Sequence, residues 1–101
     1  HVSDVARAIL LLAEKSTRSG PINVSSGKEI SIGQLVSLLQ ELTGFKGKVV
    51  WDTSRPEGAS RRCLDVTSAK ELGFEAQVDL REGLKRTITW YAKNKKQARA
   101  R

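Results

Sequence analysis

Ser31-Ile32-Gly33-Gln34-Leu35-Val36-Ser37-Leu38-Leu39-Gln40-Glu41-Leu42-Thr43-Gly44-Phe45-Lys46-Gly47-Lys48-Val49-Val50-Trp51-Asp52 passes from one periodicity to another. Ile32, Leu35, Val36, Leu39 and Leu42 fall on one face of a 3.6-residue helix. Ser31 and Gln34 have the spacing of a capping box, in which each side chain satisfies the other's free backbone N–H. Gly44 stands where a left-handed residue ends a helix. The spacing therefore predicts a helix over 32–43. Beyond it, Lys48 to Asp52 is β-branched and aromatic and reads as a strand. A helix followed at once by a strand sets the expectation of a mixed α/β domain.

Upstream, Val5, Ile9 and Leu12 recur at i, i+4 and i+7, and Leu10 and Leu11 widen the stripe. They predict a helix over 4–15, with Ser3 or Asp4 as its cap and Arg18-Ser19-Gly20-Pro21 as its stop. Pro21 to Ser25 alternates and reads as a second short strand; Ser26 to Glu29 is a turn. Downstream, residues 53–62 are too polar for a core. Cys63 to Val66 is short and extended, and Thr67 caps a brief helix that Gly73 closes. Asp79 with Glu82 is another capping box, opening a helix from Leu80 to about Asn94 with Leu84, Ile88 and Tyr91 inward. The expected fold is α+β, about four helices with a small sheet of two to three short strands. One domain covers 1–94, and 95–101 is a basic disordered tail without apolar anchors.

The chain has 101 residues, 39% of them hydrophobic, which is one domain's worth. Its longest apolar run, Ala8 to Ala13, is too short to cross a bilayer, and the polar opening lacks the basic start of a signal peptide. These features set the expectation of a cytoplasmic protein without membrane contact. With Cys63 and His1 the only residues of their types, an intrachain disulfide is excluded and a Cys/His zinc site is argued against. The net charge of +7 is unevenly placed. Residues 1–82 hold eleven cations and eleven acids; after Glu82 come Lys85, Arg86, Lys93, Lys95, Lys96, Arg99 and Arg101 with no acid among them.

Several familiar chemistries fail on the residues. Gly27-Lys28 lacks the flanking glycine and hydroxyl residue of a phosphate loop. A single histidine at the first position gives no Ser–His–Asp set. Asn23-Val24-Ser25 has the glycosylation spacing but lies in an expected strand. Tyr91 and Lys95 stand four apart on the apolar side of the last helix, and that spacing is read as coincidence. The informative segment is Trp51-Asp52-Thr53-Ser54-Arg55-Pro56-Glu57-Gly58-Ala59-Ser60-Arg61-Arg62. Guanidinium is always charged and presents a planar fork of donors that fits phosphate oxygens. Pro56 restricts Arg55 to extended angles, lowering the entropy of holding it. Arg55, Arg61 and Arg62 are the candidate substrate-binding residues, as a clamp on a phosphorylated small molecule. The competing reading is a solvated loop whose arginines pair with Asp52, Glu57 and Asp65.

Five segments in order add a resemblance. They are His1-Val2-Ser3-Asp4-Val5-Ala6; Ile22-Asn23-Val24-Ser25-Ser26-Gly27-Lys28-Glu29-Ile30-Ser31-Ile32; Arg55-Pro56-Glu57-Gly58; Leu64-Asp65-Val66-Thr67 with Leu72-Gly73-Phe74; and Leu80-Arg81-Glu82-Gly83-Leu84 with Trp90-Tyr91. Together, over roughly 1–94, they resemble the C-terminal, substrate-binding part of the NAD-dependent epimerase/dehydratase family, the extended short-chain dehydrogenase/reductases. The resemblance implies a nucleotide-diphosphate sugar as ligand, with Arg55 matching a basic position before proline and Arg61 and Arg62 a basic pair after the loop. It implies that Asp4 and Asp65 cap or tether backbone. It also implies that the catalytic tyrosine and the Rossmann half that binds NAD(P) lie upstream. The expectation is then a fragment or truncated product with no cofactor and no catalytic residue of its own, inactive alone, with the missing Rossmann half as partner. Val5, Ile9 and Leu12 would be bared, favouring self-association. Two other classes stay open: a small non-catalytic binding module, and a basic nucleic-acid-binding domain. The absence of aromatics in the cationic stretch after Tyr91 argues against the last.

Overall fold

A computed structural model describes residues 1–17, 19–56 and 58–98. Its elements are four helices: α1 (Val2–Lys15), α2 (Ile32–Thr43), α3 (Thr67–Glu71) and α4 (Leu80–Ala98). Among the described residues there is no strand, so the expected small sheet is corrected to an all-helical arrangement joined by extended segments. The cause is visible at Pro21–Ser25. Ile22 and Val24 do turn inward onto the core, as period-two alternation requires, but no neighbouring segment offers a backbone edge. Alternation records which side chains face inward; a strand also needs a partner ladder. At 48–52 and 63–66 the packing is sparser: Val49 and Val66 are half-buried, but Val50, Trp51 and Leu64 are more than half exposed.

α2 has the expected bounds. Ser31 Oγ accepts from the Gln34 N–H at 3.1 Å, Gln34 Oε1 accepts from the Ser31 N–H at 3.0 Å, and Gly44 ends the helix at φ 68°. α1 starts earlier than expected, because His1 Nδ1, not Ser3 or Asp4, accepts from the Ser3 N–H. In α3 the expected Thr67 cap is corrected: Val66 stands at the cap position and makes no side-chain cap hydrogen bond. Asp65 Oδ1 accepts from the Thr67 N–H and hydroxyl, and Thr67 is the first helical residue. At α4, Asp79 Oδ1 accepts from the Glu82 N–H at 2.7 Å, while the Glu82 carboxylate takes Arg86. That helix runs past Asn94, where the backbone leaves helical angles, and on through Lys95 to Ala98, residues that the sequence assigns to the tail. Arg99 to Arg101, the rest of that tail, lie outside the described residues, as do Arg18 and Glu57.

The core is thin. Ala8, Ala69 and Phe74 are buried, with Leu11, Ile22 and Val24 packed against them. No large side chain is fully buried among the described residues. The radius of gyration is 16.9 Å, against about 13 Å for a compact domain of this length. α1 turns Asp4, Ala8 and Leu11 inward, leaving Val5 and Ile9 48% and 62% exposed. What fixes α1 is Asp4. Its carboxylate accepts from the Gln77 N–H (3.2 Å), the Val78 N–H (3.0 Å) and Arg7 (2.7 Å). Arg7 in turn donates to the Glu75 carbonyl and lies over the Phe74 ring. α2 packs on α4, and Glu41 pairs with Arg81 between them.

Gly83 is buried within α4, where glycine is entropically costly. A Cβ there meets His1 Cβ at 3.4 Å and Val78 Cγ1 at 3.6 Å, ordinary contact distances. Gly83→Ala is therefore expected to raise stability by about 0.5–1 kcal/mol, read as a higher thermal midpoint by circular dichroism. A lower midpoint would mean that α1 approaches more tightly than these distances allow.

Candidate functional site

The three arginines singled out by sequence sit on the exposed segment between Trp51 and Cys63, in three different states. Arg61 is held: its Nε and Nη2 donate to the two Glu29 carboxylate oxygens at 2.6 and 2.8 Å. This fork-to-fork pair lowers the Glu29 pKa and raises that of Arg61. Arg55 is loosely held. Its Nε lies 3.7 Å from Asp52 Oδ2 and its side chain is 84% exposed. The Asp52 carboxylate is mainly engaged by the Ser54 hydroxyl and N–H, which lower its pKa. Arg62 is exposed and has no partner among the described residues.

The solvated-loop alternative is thus met only in part. Arg55 does approach Asp52, Asp65 is spent on Thr67, and Glu57 lies outside the described residues. The partner that sequence reasoning missed is Glu29. It stands thirty-two positions from Arg61, and only the fold brings them together. The result is one anchored guanidinium beside one uncommitted and one weakly committed guanidinium. That arrangement suits an incoming anion, since Arg61 ties the segment to the body of the chain while Arg62 keeps its donors free and Arg55 is only loosely paired with Asp52.

A separate open cleft of about 830 Å³ lies between the start of α1 and the first half of α4. Val2, Val5, Val24, Leu84 and Trp90 give it an apolar lining, with Asp4, Asp79 and Arg86 at its polar points. None of the three arginines lines it. Sequence reasoning named Val5 among the bared residues but missed Val2 and Trp90, which are 74% and 56% exposed. Leu12 is half-buried. Among the described residues no group of three or more His, Cys, Asp or Glu side chains could hold a metal ion, and no helix is long and apolar enough to cross a membrane.

No family model matches the chain. Curated proteins do, most of those compared over 94 residues that make up 93% of this chain. It is 40% identical to the probable GDP-L-fucose synthase 1 of Oryza sativa subsp. japonica and 38% identical to GDP-L-fucose synthase 1 of Arabidopsis thaliana, in both cases over 29% of the relative. It is 33% identical to the putative UDP-glucose 4-epimerase of Methanocaldococcus jannaschii, over 30% of that protein. The chain thus spans less than a third of the length of the curated relatives it matches. Within the resemblance noted from sequence, the Trp51 to Gly58 stretch most resembles GDP-L-fucose synthase. The comparisons thus support a segment of a GDP-L-fucose synthase-like protein.

Proposed function

We propose that this chain is the substrate-side portion of a nucleotide-sugar epimerase/reductase, inactive alone. Its 53–62 loop holds the diphosphate of a nucleotide sugar through Arg55 and Arg62, with Arg61 as the loop's anchor. The observation that carries this reading is the unequal commitment of the three guanidiniums: one is spent on Glu29, and two are available to an anion. The open apolar cleft supports the same reading from the other side. An exposed apolar surface of this kind calls for a covering partner, and the partner proposed is the nucleotide-binding remainder of the enzyme.

In the complete enzyme a nicotinamide cofactor would carry the hydride. The residues here do not fit it. The Gly27 turn is followed by Lys28 to Ser31 before α2 begins, so it lays no phosphate-binding turn against a helix start. The cofactor is therefore assigned outside this chain, and no step is routed through these residues. What they contribute is binding and orientation of the substrate. Such work belongs in the cytoplasm, where the single exposed thiol of Cys63 stays reduced.

Charge-assisted hydrogen bonds to phosphate are individually strong, but a half-site must still lose rigid-body and loop freedom. Binding of GDP or UDP at about millimolar strength follows. An NMR titration should move resonances of 55–62, with the effect reduced in Arg55→Ala and Arg62→Ala and weakened by salt. Shifts confined to residues after Lys93, or variants that bind like the parent, would make the loop a solvated surface.

A further inference from the structure

α4 carries a second surface beside the apolar cleft, with which it shares Arg86 and Trp90. At 100° per residue, Lys85, Thr89 and Lys93 form one stripe, with Arg86 and Trp90 along its flank, and Lys95 and Lys96 follow beyond the break in helical angles at Asn94. Leu84 and Ile88, both half-buried, occupy the opposite side. A hollow of about 370 Å³ lies on this outer face, bordered by Lys85, Arg86, Thr89, Trp90, Lys93 and Asn94. Glu82, at its upper end, is already paired with Arg86 at 2.7 Å. No acid follows it in the sequence, and among the described residues Lys85, Lys93, Lys95 and Lys96 have no acidic partner. Trp90, 56% exposed, places its indole among these cations. The aromatic that the sequence lacks after Tyr91 is therefore supplied in space, one turn before the lysines.

We propose that this face of α4 binds single-stranded nucleic acid, with phosphates on Lys85 and Lys93 and a base stacked on Trp90. Charge complementarity argues for a polyanion. From Lys85 to Lys93 the stripe runs about 12 Å, enough to reach more than one phosphate. The exposed indole argues for a ligand with flat faces, since stacking on aromatics is how sequence-tolerant single-strand binders add to backbone attraction. A membrane surface fits less well, because the exposed end of the helix after Tyr91 offers only Ala92 and Ala98 as apolar residues.

The test uses the 101-residue chain carrying Trp51→Phe, so that Trp90 is the sole tryptophan, and a labelled twelve-nucleotide single strand followed by anisotropy. The expected result is binding that quenches Trp90 fluorescence, with a log–log salt slope of about −1.4 for two phosphate contacts. Trp90→Ala should weaken binding about tenfold, Trp90→Phe should restore most of it, and Lys85→Glu with Lys93→Glu should abolish it. Arg55→Ala and Arg62→Ala should leave it unchanged, which separates this surface from the nucleotide-sugar loop. Circular dichroism shows that each variant keeps its helix. No binding at low salt, equal binding by Trp90→Ala, loss on changing the loop arginines, or displacement of the strand by anionic phospholipid vesicles would each overturn the proposal.

Discussion

Replacing Asp4 with alanine is expected to lower the thermal midpoint on the order of 10 °C, the largest stability loss of any single carboxylate here. The reason is the number of groups one side chain serves. Asp4 is 5% exposed and accepts from two backbone N–H groups more than seventy positions away and from Arg7. Its removal leaves the Gln77 and Val78 N–H groups without their partner and frees Arg7 beside Phe74. With a core of only three buried apolar residues among those described, little else holds α1 to the segment that leads into α4.

The same contacts set a pH dependence. Arg7 first, then the Val78 N–H, holds the Asp4 pKa down to about 2, against 3.8 in an unfolded chain. As acid is added, the unfolded chain takes up the proton first, so folding loses ground. The contribution is complete above about pH 4–5 and disappears as the pH falls towards 2. Glu29, Glu41, Asp52 and Asp65, also lowered by their hydrogen-bond partners, act in the same direction. Asp4→Asn should flatten the upper part of this acid transition. An unchanged transition in that variant would show that the tether carries no weight.

The helices were legible because their signals are local. The bounds of α2 follow from a capping box and a left-handed glycine within its own sequence. The sheet was misread for the opposite reason: Ile22 and Val24 announce an inward face, but whether a ladder forms depends on segments elsewhere. The bared side of α1 was legible in part: Val5 and Ile9 are exposed as expected, while Leu12 is half-buried. Val5, Ile9 and Leu12 form the larger apolar stripe, yet the small Ala8 and the tethered Asp4 turn the helix the other way. At the candidate site, arginine chemistry beside a proline was readable from Arg55 to Arg62. The distinction between anchored Arg61 and available Arg62 was not, because Glu29 reaches the loop only through the fold. The cationic character of α4 was plain in the sequence, but Trp90 precedes the lysine run and joins it only on a helical surface.

The central claim is that this chain is a working substrate-side segment that depends on the rest of an enzyme. It is tested most directly by exchange: residues 1–94 replace the matching segment of the 40% identical rice relative, and turnover of a GDP-sugar with NADPH is measured for the chimera and for the 101-residue chain alone. The account predicts turnover by the chimera, a loss of about tenfold or more in kcat/KM when Arg55 and Arg62 are both changed to alanine, and none by the chain alone. A chimera that folds and binds the dinucleotide but turns over no GDP- or UDP-sugar, or a chain that turns one over unaided, would contradict it.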